Sequence, residues 1–185
     1  MTFYTDFKDV NAKLILDPTD YTTGGTDLGL IGTAHMAGFS LDLDTFTNPY
    51  HGTTLVDARV TGINWLYSIT LIDYSQNWLK LLTRGMNTNN TFQAFNGYNL
   101  GHLLGSGQTQ NLLIRPYDDD GTADATKPML WIPRAVVIGA YPLVWARSIT
   151  HIEGVNLAIA ALLDDDYDQP AFYGDSTALP SMGAL

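Results

Sequence analysis

Cysteine is absent from this 185-residue chain, glutamate occurs once, at Glu153, and lysine four times. Without thiols there is neither a disulfide frame nor a thiolate metal site. The shortage of Glu and Lys removes the residues from which exposed helix faces are usually built, while 18 Asp, with many Thr and Gly, supply turns and strands. Composition therefore predicts a β-rich chain with little helix. Basic residues are scarce as well: 9 Lys+Arg stand against 19 Asp+Glu, a formal charge of −10. A surface of that sign repels a phosphate backbone, which excludes a binder of bare DNA or RNA. An acidic face serves DNA only where its task is to let DNA pass without sticking.

Long apolar runs are missing too. The longest, Ala135 to Ala146, is interrupted by Gly139 and Pro142 and falls well short of the roughly 20 residues that cross a bilayer. Met1 to Val10 carries Asp6, Lys8 and Asp9 and lacks the apolar segment of a signal peptide. These features predict a chain folded in a cytoplasm, with no membrane partner. Its length suits a single domain, 1–185. Charged residues make up 15% of it, against about 25% in an average soluble domain. Much of the surface is then either neutral and polar or covered by something else.

What is present reads mostly as strand. Leu28, Leu30, Gly32, Ala34 and Met36 share one side of an extended chain, and Phe39, Leu41 and Leu43 alternate with Ser40, Asp42 and Asp44 beyond a bend at Gly38. Thr53 to Tyr74 carries the strongest alternation, through Val56, Ala58, Val60, Ile63, Trp65, Tyr67, Ile69 and Leu71, with Gly62 marking a bulge or turn. One helix is expected from about Ser75 to Gly85, with Ser75 as N-cap, Trp78, Leu79, Leu81 and Leu82 as its apolar stripe and Gly85 as its stop. Met86 to Gln110 reads as a long polar loop whose Phe92, Phe95, Tyr98 and Leu103 equip it to dock on another subunit. Strands are expected again at Asn111 to Tyr117, Pro128 to Val137, Pro142 to Ile152 and Val155 to Leu163, the last of which also suits a short helix. Residues 1–27 read as an N-terminal arm punctuated by Asp17-Pro18 and Gly24-Gly25, and 175–185 as a flexible tail.

Catalytic signatures are lacking. His35, His51, His102 and His151 stand singly, so the expectation is turn and edge histidines rather than metal ligands. Asp118, Asp119, Asp120 and Asp124 form one acidic run, and Asp164, Asp165, Asp166 and Asp168 another; neither has the glycine spacing of a calcium loop, and solvated turns are expected. Gly105-Ser106-Gly107 lacks the outer residues of a nucleophile elbow, and no phosphate loop occurs. The reading is of a protein that is not an enzyme and has no cofactor. A small β-sandwich binding module for carbohydrate is an alternative, with Trp65, Trp131 and Trp145 as stacking platforms, although their apolar strand contexts favour core positions.

The order of features nevertheless resembles a known family. An Asp-Pro turn ahead of Asp27-Leu28-Gly29, a long strand pair ending in one amphipathic helix, the run Leu112-Leu113-Ile114-Arg115-Pro116, and a close from Leu162-Leu163-Asp164 to Phe172-Tyr173-Gly174-Asp175 resemble the major tail (tail tube) proteins of tailed bacteriophages. That resemblance implies a mainly β, tail-tube-type sandwich or barrel with one flanking helix. It implies a virion protein, assembled in the host cytoplasm, whose hexameric rings stack around a tape-measure protein beneath a tail terminator. Double-stranded DNA would then transit the lumen without tight binding. Asp42, Asp44 and Asp57 are the candidate lumen-facing acids, and Phe92, Phe95, Tyr98 and Leu103 the candidate inter-ring contacts. A tail terminator or a secretion-tube protein would share these features.

Overall fold

The computed structural model describes residues 11–47, 55–74, 109–138, 155–164, 166 and 168–182. Seven strands run through them: β1 (Asn11–Leu16), β2 (Thr26–Thr47), β3 (Leu55–Tyr74), β4 (Gln110–Tyr117), β5 (Met129–Val137), β6 (Val155–Ala161) and β7 (Phe172–Gly174). All their pairings are antiparallel, and there is no helix among the described residues. The sheet order is β4-β1-β2-β3-β6-β5-β7, and a further β4–β5 pairing joins its ends into a closed six-stranded barrel with β7 outside it. Closure satisfies the backbone of the barrel strands without leaving them as edges.

Period-two alternation fills the barrel. Leu14 and Leu16 of β1, Tyr67, Ile69 and Leu71 of β3, Leu112 and Ile114 of β4, Ile132 and Val137 of β5, and Leu157 and Ile159 of β6 form one buried cluster. Each such side chain contributes about 1.5–3 kcal/mol through its removal from water. A second, separate cluster covers the outside of β1, β4 and β5: Ile15, Leu113, Met129 and Trp131 meet Tyr21, Leu179, Phe172 and Met182. These three strands are thus apolar on both faces. That is why Leu112-Leu113-Ile114 reads as a continuous run rather than an alternation.

Pro133 divides the edge of β5. Beside one half of that strand lies β6, with Ala135, Val136 and Val137 opposite Ala161, Ala160 and Ile159; beside the other lies β7, with Met129, Leu130 and Trp131 opposite Gly174, Tyr173 and Phe172. Proline cannot donate to a ladder, and the β4–β5 register slips at the same place, between Gln110 and Leu112. β6 and β7 are therefore one line of chain interrupted by an excursion, which starts where the Leu162 amide donates to the Arg134 carbonyl at 2.9 Å.

Two expectations change here. Residues 11–16 are no arm: β1 sits between β2 and β4, with Leu14 fully buried. The Asp17-Pro18 turn ends the strand so early that only six residues carry its signal. The segment from Asp175 to Met182 is no loose tail either, because Leu179 is 8% exposed and packs with Met182 on the outer cluster. The bend expected at Gly38 is present as a register shift between Met36 and Gly38 within one continuous strand. Val155–Ala161 is strand. The expected helix at Ser75 to Gly85, the loop from Met86 as far as 108, and the strand at Pro142 to Ile152 lie outside the described residues.

Candidate assembly surface

The β2–β3 hairpin is far longer than the barrel that holds it. Register runs from Gly29 opposite Tyr74 to Thr47 opposite Leu55, yet β1 accompanies β2 only as far as Leu30 and β6 accompanies β3 only from Trp65. Past the Phe39–Trp65 pair, residues 40–47 and 55–64 are paired, among the described residues, only with each other. At roughly 3.3 Å per residue this arm extends about 25 Å beyond the barrel. Five register shifts, from Leu30/Ile31 to Phe46/Thr47, punctuate the hairpin, two of them, at Asp42/Leu43 and Phe46/Thr47, within the arm. Each one adds local twist, so the arm coils as it leaves the barrel.

Low charge characterises the β2 surface from Gly32 to Ser40, which leads into the arm. Gly32, Thr33, Ala34, Met36, Ala37 and Ser40 are exposed, Met36 at 49%. The exposed Asp42 and Asp44 lie two residues apart on β2, and Asp57 occupies the register position opposite Phe46. All three candidate acids therefore belong to the arm. Asn64 Nδ2 donates to Ser40 Oγ at 3.3 Å and lies 3.4 Å from an Asp42 carboxylate oxygen, while Asp44 is opposite Arg59 in register. Partial pairing of this kind moderates the field of the acids without cancelling it. Phe92, Phe95, Tyr98 and Leu103 lie outside the described residues.

At the other end of the barrel, one buried cation organises the surface. Arg115, 4% exposed, donates from Nε to the Tyr21 carbonyl at 2.7 Å, from Nη1 to the Gly24 carbonyl at 3.2 Å, and from Nη2 to the carbonyls of Asp20 and Thr23, each at 2.8 Å. A turn that aims four carbonyls at one guanidinium needs unusual backbone. Gly24 and Gly25 supply it at φ 69° and 87°, and a Cβ at Gly25 would stand 2.4 Å from Ile15 Cγ2. The turn presents Tyr21 to the outer cluster, where its ring meets Trp131 edge-on at 5.9 Å and its hydroxyl donates to the Pro180 carbonyl. Sequence reading missed Arg115 as a structural centre. Its signal was a lone cation within an apolar strand run.

The acidic runs form turns. Asp118–Asp120 and Asp124 connect β4 to β5, with the Asp120 carboxylate accepting from the Thr122 amide at 2.8 Å and Lys127 pairing with Asp118 at 2.8 Å and Asp124 at 3.1 Å. Hydrogen bonds from the hydroxyl and amide of Thr126, with Lys127 beside them, hold the Asp124 carboxyl far below the ordinary range. In the second run Asp164 departs from a solvated turn: it is 3% exposed and accepts from the Asp166 amide at 3.0 Å, anchoring the excursion between β6 and β7. Among the described residues no three His, Asp or Glu side chains are grouped to hold a metal ion. No described helix is long and apolar enough to cross a membrane. Trp131 is 1% exposed and donates from Nε1 to Asn111 Oδ1 at 2.6 Å; Trp65 packs at the margin of the barrel core, and Trp145 lies outside the described residues.

No protein-family model matches the sequence, and neither does any curated protein. Among solved structures, the chain is similar to one described as the cryo-EM structure of the anti-feeding prophage cap (AFP tube terminating cap). The alignment covers 88% of each chain at a TM-score of 0.39 and 9% identity. Likeness at that level carries no argument about fold or function.

Proposed function

We propose that this chain is a structural subunit of a bacteriophage tail that assembles with copies of itself into rings, and that stacked rings build the tail tube. The observation that supports this reading most strongly is the β2–β3 arm. Its strands run antiparallel, so copies arranged about an axis along the arm bring β3 of one beside β2 of the next, again antiparallel. Repeated around the axis, the contact makes a continuous sheet with no loose edge. The uncharged stretch of β2 from Gly32 to Ser40 suits burial between neighbours, because interface cores are depleted of Lys and Glu. Hexameric rings stacked around a tape-measure protein are the form that the sequence resemblance implies.

In this arrangement Asp42, Asp44 and Asp57 contribute an acidic lining that repels the DNA backbone and keeps it mobile during ejection. The protein performs no reaction and takes no cofactor; its function is the geometry of the assembly. Sedimentation velocity of the purified chain, with negative-stain microscopy of the fastest fraction, tests the proposal. Annular particles or tubes support it, and a single monomeric boundary across the whole concentration range counts against it.

A further inference from the structure

We propose that the C-terminal strap, Phe172 to Met182, exchanges between copies of this chain, each strap seating on the outer β4–β5 face of a neighbour. The structure separates the strap from the barrel energetically. Phe172, Leu179 and Met182 pack into the outer cluster and not among the residues that fill the barrel, so the strap can leave with only Ala171, the residue before it, withdrawn from the margin of the barrel core. Its attachments include three residue pairs from β7 to β5, a hydrogen bond from the Ser176 amide to the Ala125 carbonyl at 3.1 Å, the Tyr21 hydroxyl donating to the Pro180 carbonyl, and Phe172 stacked on Trp131 at 5.2 Å.

The strap also holds itself together. One Asp175 carboxylate oxygen accepts from the Thr177 hydroxyl at 2.6 Å and from the amides of Thr177 and Ala178, each at 2.9 Å. A segment braced in this way transfers as a unit rather than unravelling.

The occupant of the vacated face follows from what would be left behind. Leu113 and Met129 are fully buried and Trp131 is 1% exposed, and an apolar patch of that size does not remain in water. The one surface already shaped to cover it is the same strap from a second copy, which restores every contact and makes exchange a low-cost route to association. The connection permits the reach. Once the Asp168 amide releases the Asp164 carbonyl, to which it donates at 2.8 Å, the ten residues between Ala161 and Phe172 span about 30 Å when extended. The connection contains Asp168 in the left-handed region at φ 54°, and strained hinges of this kind favour exchange.

Because the chain has no cysteine, the contact can be read by disulfide trapping. Leu130 is opposite Tyr173, and Met129 opposite Gly174. Neighbouring pairs in an antiparallel ladder alternate between hydrogen-bonded and closer non-hydrogen-bonded geometry, so one of the two has the spacing a disulfide prefers. An affinity-tagged Leu130→Cys chain is mixed at high concentration with a Tyr173→Cys chain and oxidised, and Met129→Cys with Gly174→Cys is run in parallel. Double variants within one chain serve as controls. The expected result is a covalent heterodimer from at least one mixture that does not form when the mixture is diluted before oxidation, while the matching double variant closes within the chain when dilute. A double variant that closes within the chain at every concentration, with no heterodimer from either mixture, overturns the proposal. Microscopy of the same samples keeps this separate from the ring reading: rings without heterodimer defeat the exchange alone, and heterodimer without rings supports the exchange and defeats the ring alone.

Discussion

Arg115 Nε donates to the carbonyl of Tyr21 at 2.7 Å, and through that bond a residue at the end of a barrel strand fixes the turn that holds the outer surface. Replacing Arg115 with Met leaves the carbonyls of Asp20, Tyr21, Thr23 and Gly24 aimed at an apolar side chain. The loss of a buried, fully bonded charge is expected to cost about 3–5 kcal/mol. Urea unfolding followed by tryptophan fluorescence measures it. Arg115→Lys, with fewer donors in a different geometry, is expected to recover only part of the loss.

Asn111 accepts the Trp131 indole proton where neither group reaches water. Asn111→Ala leaves that donor unsatisfied and is expected to cost about 1–3 kcal/mol. Asn111→Asp keeps an acceptor at the same place, so its loss is expected to vary with pH whereas that of the alanine variant does not. Thermal unfolding between pH 5 and 8 distinguishes the two.

Asp17 lies at the surface, yet the protein flanking its carboxyl raises its pKa by desolvation, against a weaker lowering by the bond from the Asn111 amide. A carboxyl raised on folding weakens the fold once it is ionised. The penalty is present above its folded pKa and disappears as pH falls through that value toward the unfolded 3.8. Asp17→Asn retains the acceptor and suits the left-handed backbone at φ 50°. A gain of less than about 1 kcal/mol is expected at pH 7, after allowance for solvent screening, and none below about pH 4. Urea midpoints at pH 7 and pH 3.5 check the sign.

Gly25 adopts φ 87° with Ile15 Cγ2 within 2.4 Å of where a Cβ would lie. Gly25→Ala is expected to destabilise by about 1–3 kcal/mol through backbone strain and displacement of Ile15. Circular dichroism melts measure the effect.

The long strands were legible because their signal is long. Alternation from Val56 to Leu71 survives the register slip opposite Asp42, since a bulge displaces one residue and the pattern resumes. β1 was hidden by its shortness, and the two-faced burial of β4 and β5 erased the alternation that would have assigned their faces. No local pattern reports that β4 pairs with β5 to close the barrel, because that contact depends on a slip at Gln110/Leu112 and on Pro133. Nothing local marked Arg115 as a buried centre, because the carbonyls that satisfy it lie about ninety residues earlier in the chain. Asp42 and Asp44 were legible as neighbours on one strand, whereas the length of the arm beyond the barrel required the pairing of β1 and β6 to be known.

Charges placed on the exposed stretch of β2 are expected to abolish rings joined through it. Ala34→Lys with Met36→Lys places two charges at exposed positions of β2 between its pairing with β1 and the arm, outside the buried core, and surface changes of this kind alter stability by no more than about 0.5 kcal/mol each. Charges on an exposed strand are also an effective block to edge pairing. Negative-stain microscopy of wild type and the double variant at matched concentration is the most direct measurement. Rings or tubes in the wild type, with folded monomers alone in the variant, are the predicted result; identical particles in both samples, or monomers alone in both, contradict the account.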